Sequence, residues 1–263
     1  MNSDDFLELA ENPDFISGIY NYCDDWCERC GFTDRCLQYA RKRNRPVPVD
    51  EAGDLDSEAL MKQLEQVLTS SVDLLRSMAA EDGIDLDAID TTDIDEAREH
   101  LNALVDEHPL SLAASRHAKL AFDWMEAAGP DFQAKGEQWE AFVRMNIPGI
   151  DVAAQAIDLR DAVEVIQWYF LFIPVQVFSA LRIRMDSQTF NTESCSVHAD
   201  GKAKIALIAM DRSLAAWTLL LHTMPQRETE TLELLAQLAR LRRDTEHFFP
   251  DARAFVRPGF DTQ

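Results

Sequence analysis

The chain has 263 residues, 46% of them apolar, with 9 glycines and 10 prolines; this suits one large domain, or a main domain with a small appendage, and excludes disordered and fibrous classes. Its 47 acidic and 25 basic residues give a formal charge of −22. Such a surface repels phosphate backbones and anionic membranes, so it disfavours nucleic-acid binding.

In chain order, "MNSDDFLELAENPDF" shows no basic start followed by an apolar core, so no secretory signal is expected there. "CDDWCERCGFTDRC", 23–36, then places four of the chain's five cysteines within fourteen residues. Together with the odd cysteine count, this predicts a reducing, cytoplasmic setting with free thiols or a metal site. Cys23, Cys27 and Cys30 are spaced to share one face of a helix that Gly31 would end, and Thr33 would cap a second helix with Cys36 in its first turn. Four converging thiolates suit Zn²⁺ or a [4Fe–4S] cluster, each leaving a charge of about −2. Arg29, Arg35, Arg41, Lys42, Arg43 and Arg45 form the one basic concentration nearby. The compact spacing favours [4Fe–4S], with zinc as the alternative. "NRPVPVDEAGDLDS", 44–57, reads as a linker, giving a four-cysteine metal-binding module over 1–45 and a helical bundle domain over 55–263.

Beyond the linker nearly every segment has helical periodicity. Met61, Leu64, Leu68, Val72, Leu75 and Ala79 form one stripe, with Ser57 as the N-cap and a stop near Gly83. Pro109 and Gly129-Pro130 break the next helices. The longest candidate runs from Asp151 to Met185 and is apolar nearly all round from Ile166, the pattern of a helix surrounded by others rather than of a membrane span. "NTESCSVHADG" reads as a polar loop, and two further helices follow it. No period-two alternation stands out, so the predicted fold is all-α: an antiparallel helical bundle with a small N-terminal metal module.

The C-x2-C-x5-C portion of the cluster resembles the ligand spacing of the cluster loop in helix-hairpin-helix DNA glycosylases and of iron-staple nucleases. "IYNYCDDWCERCGFTDRC", "DAVEVIQWYF", "AKIALIAMDRSLAAW" and "FPDARAFVRPGFD" resemble a family of bacterial helical proteins with an N-terminal four-cysteine cluster. That resemblance implies the architecture and no particular reaction.

Two other groups carry candidate chemistry. Asp161 and Glu164 on the long helix, with Asp211, Arg212 and His222 on the next, would form either a polar pocket in the bundle or a buried ionic network fixing helix register. Cys195 and His198 would be a nucleophile with its base, ligands of a second metal, or incidental loop residues. The tail "FFPDARAFVRPGFDTQ" is expected to dock over the bundle or to bind a partner. The function expected is a metal-stabilised scaffold for a small molecule or protein; the alternative is a cytosolic enzyme working by cluster redox or by acid–base chemistry around Asp211 and Glu164.

Overall fold

The computed structural model describes residues 12–44, 48–49, 53–88, 92–146, 148–190 and 193–261, excepting the side chains of 44, 87, 187–190 and 193–196. Among them the chain is helical and forms no strand, only an isolated bridge between Val49 and Leu55. The helices are α1 (Leu37–Asn44), α2 (Ser57–Glu81), α3 (Thr92–Asp106), α4 (Pro109–Ala127), α5 (Gly129–Arg144), α6 (Val152–Phe190), α7 (Glu193–Thr223) and α8 (Glu228–Phe248).

The predicted breaks stand where expected. Gly83, at φ 74°, accepts the left-handed turn that closes α2, and the Ile84 amide bonds back to Ala79. Pro109 opens α4 behind His108, whose Nδ1 accepts the Leu110 amide at 3.2 Å. The α2 cap is one residue earlier than expected: Asp56, not Ser57, accepts the Ala59 amide. The expected loop around Cys195 is instead the first turns of α7. That segment ends in Gly201, but a glycine costs a helix only about 1 kcal/mol relative to alanine, and here it is buried beside Ala199 and Asp200.

The chain divides into two compact units, Met1–Ala97 with Arg257–Gln263, and Arg98–Val256. The boundary therefore falls within α3 rather than in the linker at 44–57. The expected core stripe of α2 is not buried: Met61, Leu64, Leu68, Val72 and Leu75 are all exposed.

In the second unit α4, α6, α7 and α8 make a closed ring of packed neighbours, α4 on α6, α6 on α7, α7 on α8 and α8 on α4. Small buried residues line α7, among them Ala199, Ala203, Ala206, Ser213 and Ala216. Trp124 is the hub: its Nε1 donates to Thr231 Oγ1 at 3.1 Å, and its ring meets Trp217 edge-on at 5.0 Å. Arg227 lies 5.7 Å from the same ring and pairs with Asp131 at 2.5 Å. One expectation is overturned: α6 is not surrounded. Its inner stripe, Leu159, Ala162, Ile166, Tyr169, Ile173, Val177 and Ala180, is buried, while Leu171 and Val175 on the other side face solvent. By length and composition alone α6 and α7 could each cross a membrane; 28% and 50% of their most apolar windows are buried.

His117 on α4 lies in the core, 1% exposed, and burial lowers its pKa to about 4. The unfolded chain takes up a proton near pH 6.5 that the folded chain refuses. The stability this group contributes is therefore complete above pH 6.5 and is lost as pH falls towards 4, by about 3 kcal/mol in all. Urea unfolding of His117→Gln should show a shallower loss of stability than wild type across that window. Parallel pH profiles would refute the assignment.

Candidate metal centre

The four-cysteine segment folds as three short 3₁₀ turns, not as the predicted pair of helices. Gly18 starts the turn Ile19–Tyr22, and Cys23 ends it in extended conformation. Asp25 then adopts φ 57°, which no α-helix passes through, while the Asp24 carboxylate accepts the Trp26 amide at 3.3 Å. Cys27 opens a second turn, Cys27–Arg29, and Cys30 closes it through its amide to the Cys27 carbonyl at 3.1 Å. A third turn, Thr33–Arg35, leads to Cys36, whose carbonyl accepts the Ala40 amide at 3.0 Å at the start of α1.

The turns still bring Cys23, Cys27, Cys30 and Cys36 to the wall of one cavity, shared with Ile19, Trp26, Phe32, Tyr39 and Phe260. All four are free thiols of intermediate burial. The Phe32 amide donates to Cys30 Sγ at 3.4 Å, and Cys23 Sγ donates to the Tyr20 carbonyl at 3.6 Å. Burial pushes the Cys23 and Cys27 thiols up, and the nearby Asp25 carboxylate and Cys36 add to it; Lys42, bonded to Asp25 at 2.7 Å, partly opposes this at Cys27. Among the described residues no three His, Cys, Asp or Glu side chains gather closely enough to hold a metal ion. The sulfurs thus share a wall without converging to ligand distance.

The cavity wall includes residues the sequence reading missed. Phe260 meets Phe32 edge-on at 5.1 Å, Arg257 lies 4.7 Å over the Phe260 ring, and Arg257 pairs with Asp261 at 3.0 Å. Gly259, at φ 76°, lies so close that a Cβ there would stand 2.9 Å from both Ile16 Cδ1 and Ile19 Cδ1. Residues 257–261 therefore dock on the cysteine segment. Only the earlier part of the tail follows the expectation: Arg253 pairs with Asp211 at 2.7 Å, and the Phe255 carbonyl accepts Lys204 Nζ at 2.5 Å. The one signal for this was the run of aromatics in "WCERCGF" and "RPGF".

The other candidate residues fare differently. Asp161, Glu164, Arg212 and His222 are exposed and Asp211 is half-buried, so neither a core network nor an enclosed pocket is built from them. Asp211 is clamped by Arg242 at 3.1 Å and by Arg253; Arg212 donates to the Tyr169 hydroxyl at 2.5 Å. Glu164 pairs with Arg160 at 3.7 Å, and His222 Nδ1 lies 2.7 Å from its own helix's Thr218 carbonyl. The Cys195 side chain lies outside the described residues; His198 is exposed one turn further along α7.

Compared with known proteins, the chain matches no family model, no curated protein and no solved structure.

Gly259→Ala would both strain the left-handed backbone and push against Ile16 and Ile19, costing about 1–3 kcal/mol locally. Hydrogen exchange over 12–36 should quicken and the four thiols should alkylate faster, while the bundle keeps its protection. Unchanged exchange in 12–36 would show that the segment does not brace the cavity.

Proposed function

We propose that Cys23, Cys27, Cys30 and Cys36 bind one metal centre, and that the protein is a metal-stabilised helical scaffold for a protein or small-molecule partner. The observation that carries this is a shortage of core. Among the described residues of the first unit only Ile19 and Tyr22 are buried, yet four thiols line one cavity together with Ile19 and an aromatic wall. Segments of fewer than about 40 residues rarely hold a fold without a cross-link or metal. The donors fit by chemistry: four soft sulfurs in a largely apolar enclosure suit Zn²⁺ or an iron–sulfur cluster, and binding would have to draw them closer together than they stand on the cavity wall. Burial disfavours uncompensated thiolates here, and a bound cation supplies the compensation.

The close spacing of the ligands favours [4Fe–4S]. One feature favours zinc: the C-x2-C pair Cys27–Cys30 wraps a tight turn with the Phe32 amide directed at Cys30 Sγ. In either case the metal supplies cross-linking, and a cluster would add electron transfer. This chain's residues enclose the sulfurs with Trp26, Phe32, Tyr39 and Phe260, and Lys42 and the arginines of α1 oppose the negative charge.

We further read the helical ring as an antiparallel bundle, since His108 meets Phe248 while Trp124 meets Thr231 along α4 and α8. A cytoplasmic, reducing location suits four free thiols, and the charge of −22 argues against nucleic-acid partners and anionic membranes. The resemblance to the bacterial four-cysteine family remains part of this reading. The enzyme alternative now rests on cluster redox, since the residues around Asp211 and Glu164 are surface ion pairs.

Protein purified without oxygen should be brown, with about four iron and four sulfide per chain; a colourless protein with about one zinc keeps the site and rejects the cluster. Metal-free protein whose four thiols alkylate freely would overturn the proposal. Changing any of the four cysteines to Ala should loosen residues 12–44 and release the metal, whereas Cys195→Ala should leave metal content unaltered. Protons compete for the thiolates, so metal loss should set in as pH falls.

A further inference from the structure

The outer face of α6 has a pattern of its own. Glu164, Trp168, Leu171, Val175, Phe178 and Arg182 recur at alternating steps of four and three, the seam of a coiled coil, on the side opposite the buried stripe. Leu171 is 59% exposed and Val175 60%, and the Trp168 and Phe178 rings flank them half-buried. The seam is acidic at one end, basic at the other and apolar between.

That order is self-complementary. If a second α6 runs antiparallel, with a two-fold axis level with Ile173, Leu171 meets Val175 of the other copy, Trp168 meets Phe178, and Glu164 meets Arg182, each pairing made twice. Mixed layers of this kind are how antiparallel coiled coils pack, and an isologous contact needs such a patch. The bond between Glu164 and Arg160 does not oppose it: both groups are exposed, the distance is 3.7 Å, and such pairs contribute little. The geometry points to a second copy of this chain as the occupant of this face, held by α6 against α6. A lipid surface fits it less well, because Glu164 and Arg160 close one end of the strip on a protein of charge −22. The proposal names a partner for the scaffold but stands apart from the metal: cysteine variants that lose metal should keep the dimer.

The test is sedimentation of the full chain over a micromolar concentration series. Wild type should reach twice the chain mass of 29.8 kDa. Leu171→Glu, and independently Val175→Gln, should shift the equilibrium to monomer with unchanged circular dichroism. Glu164→Arg and Arg182→Glu should each weaken the dimer by about tenfold or more, and mixing these two variants should restore it, since each then meets its opposite charge. A wild type that stays monomeric, a dimer indifferent to Leu171→Glu and Val175→Gln, or singly swapped variants that fail to complement would each overturn the pairing. Monomeric wild type that pellets with phosphatidylcholine vesicles, and ceases to when Leu171 is changed, would assign the face to lipid instead.

Discussion

The bundle depends on α6 and α7 lying against one another, and that requires small side chains. Ala199, Ala203, Ala206, Ser213 and Ala216 are all buried on α7, leaving little volume between its backbone and the neighbouring helices. Alanine faces slide easily, so register needs another device. It is supplied near one end by Arg184, which pairs with Asp200 at 2.6 Å with little of either side chain exposed. Burial, with the Asp251 carboxylate adding to it, raises the Asp200 carboxyl against the opposing pull of Arg184, so the attraction does not fully offset the cost of enclosing the charge. Such a pair adds little net stability but makes any slipped register costly, because a slip leaves two buried charges unmatched. Further along, the Tyr169 hydroxyl and Arg212 join the same two helices.

Much of the helical framework was legible because its punctuation is local. Pro109, Gly129-Pro130 and the glycine after α2 act through their own backbones, and no distant contact contradicts them. The cysteine segment was legible only in that its four cysteines reach one cavity wall. Steps of four and three bring residues together on an α-helix, but successive 3₁₀ turns separated by extended cysteines do so as well, and the left-handed Asp25 that decides between them carries no strong sequence signal. Asp/Asn tolerance of that region is a weak preference, not a rule.

The errors have one origin: periodicity reports that a face is apolar but not what covers it. The α2 stripe has the spacing of a core helix, yet its large side chains are exposed. α6 is apolar on two faces, and only one lies in the bundle. In the same way Asp211 and Arg212 interrupt an apolar run, which suggested burial. They sit at the outer edge of α7, where Arg242, Arg253 and Tyr169 reach them from residues that sequence spacing does not connect.

The docking of Phe260 and Gly259 beside Ile16, Ile19 and Phe32 has a consequence for biosynthesis. Every cysteine of the cluster leaves the ribosome before α2, and the aromatic that completes the cavity wall emerges only after α8. At typical elongation rates the nascent thiols wait on the order of tens of seconds for their cover. The four thiols therefore stand open during translation and enclosed afterwards, so the order of synthesis sets when anything that reacts with them or binds them has its easiest entry.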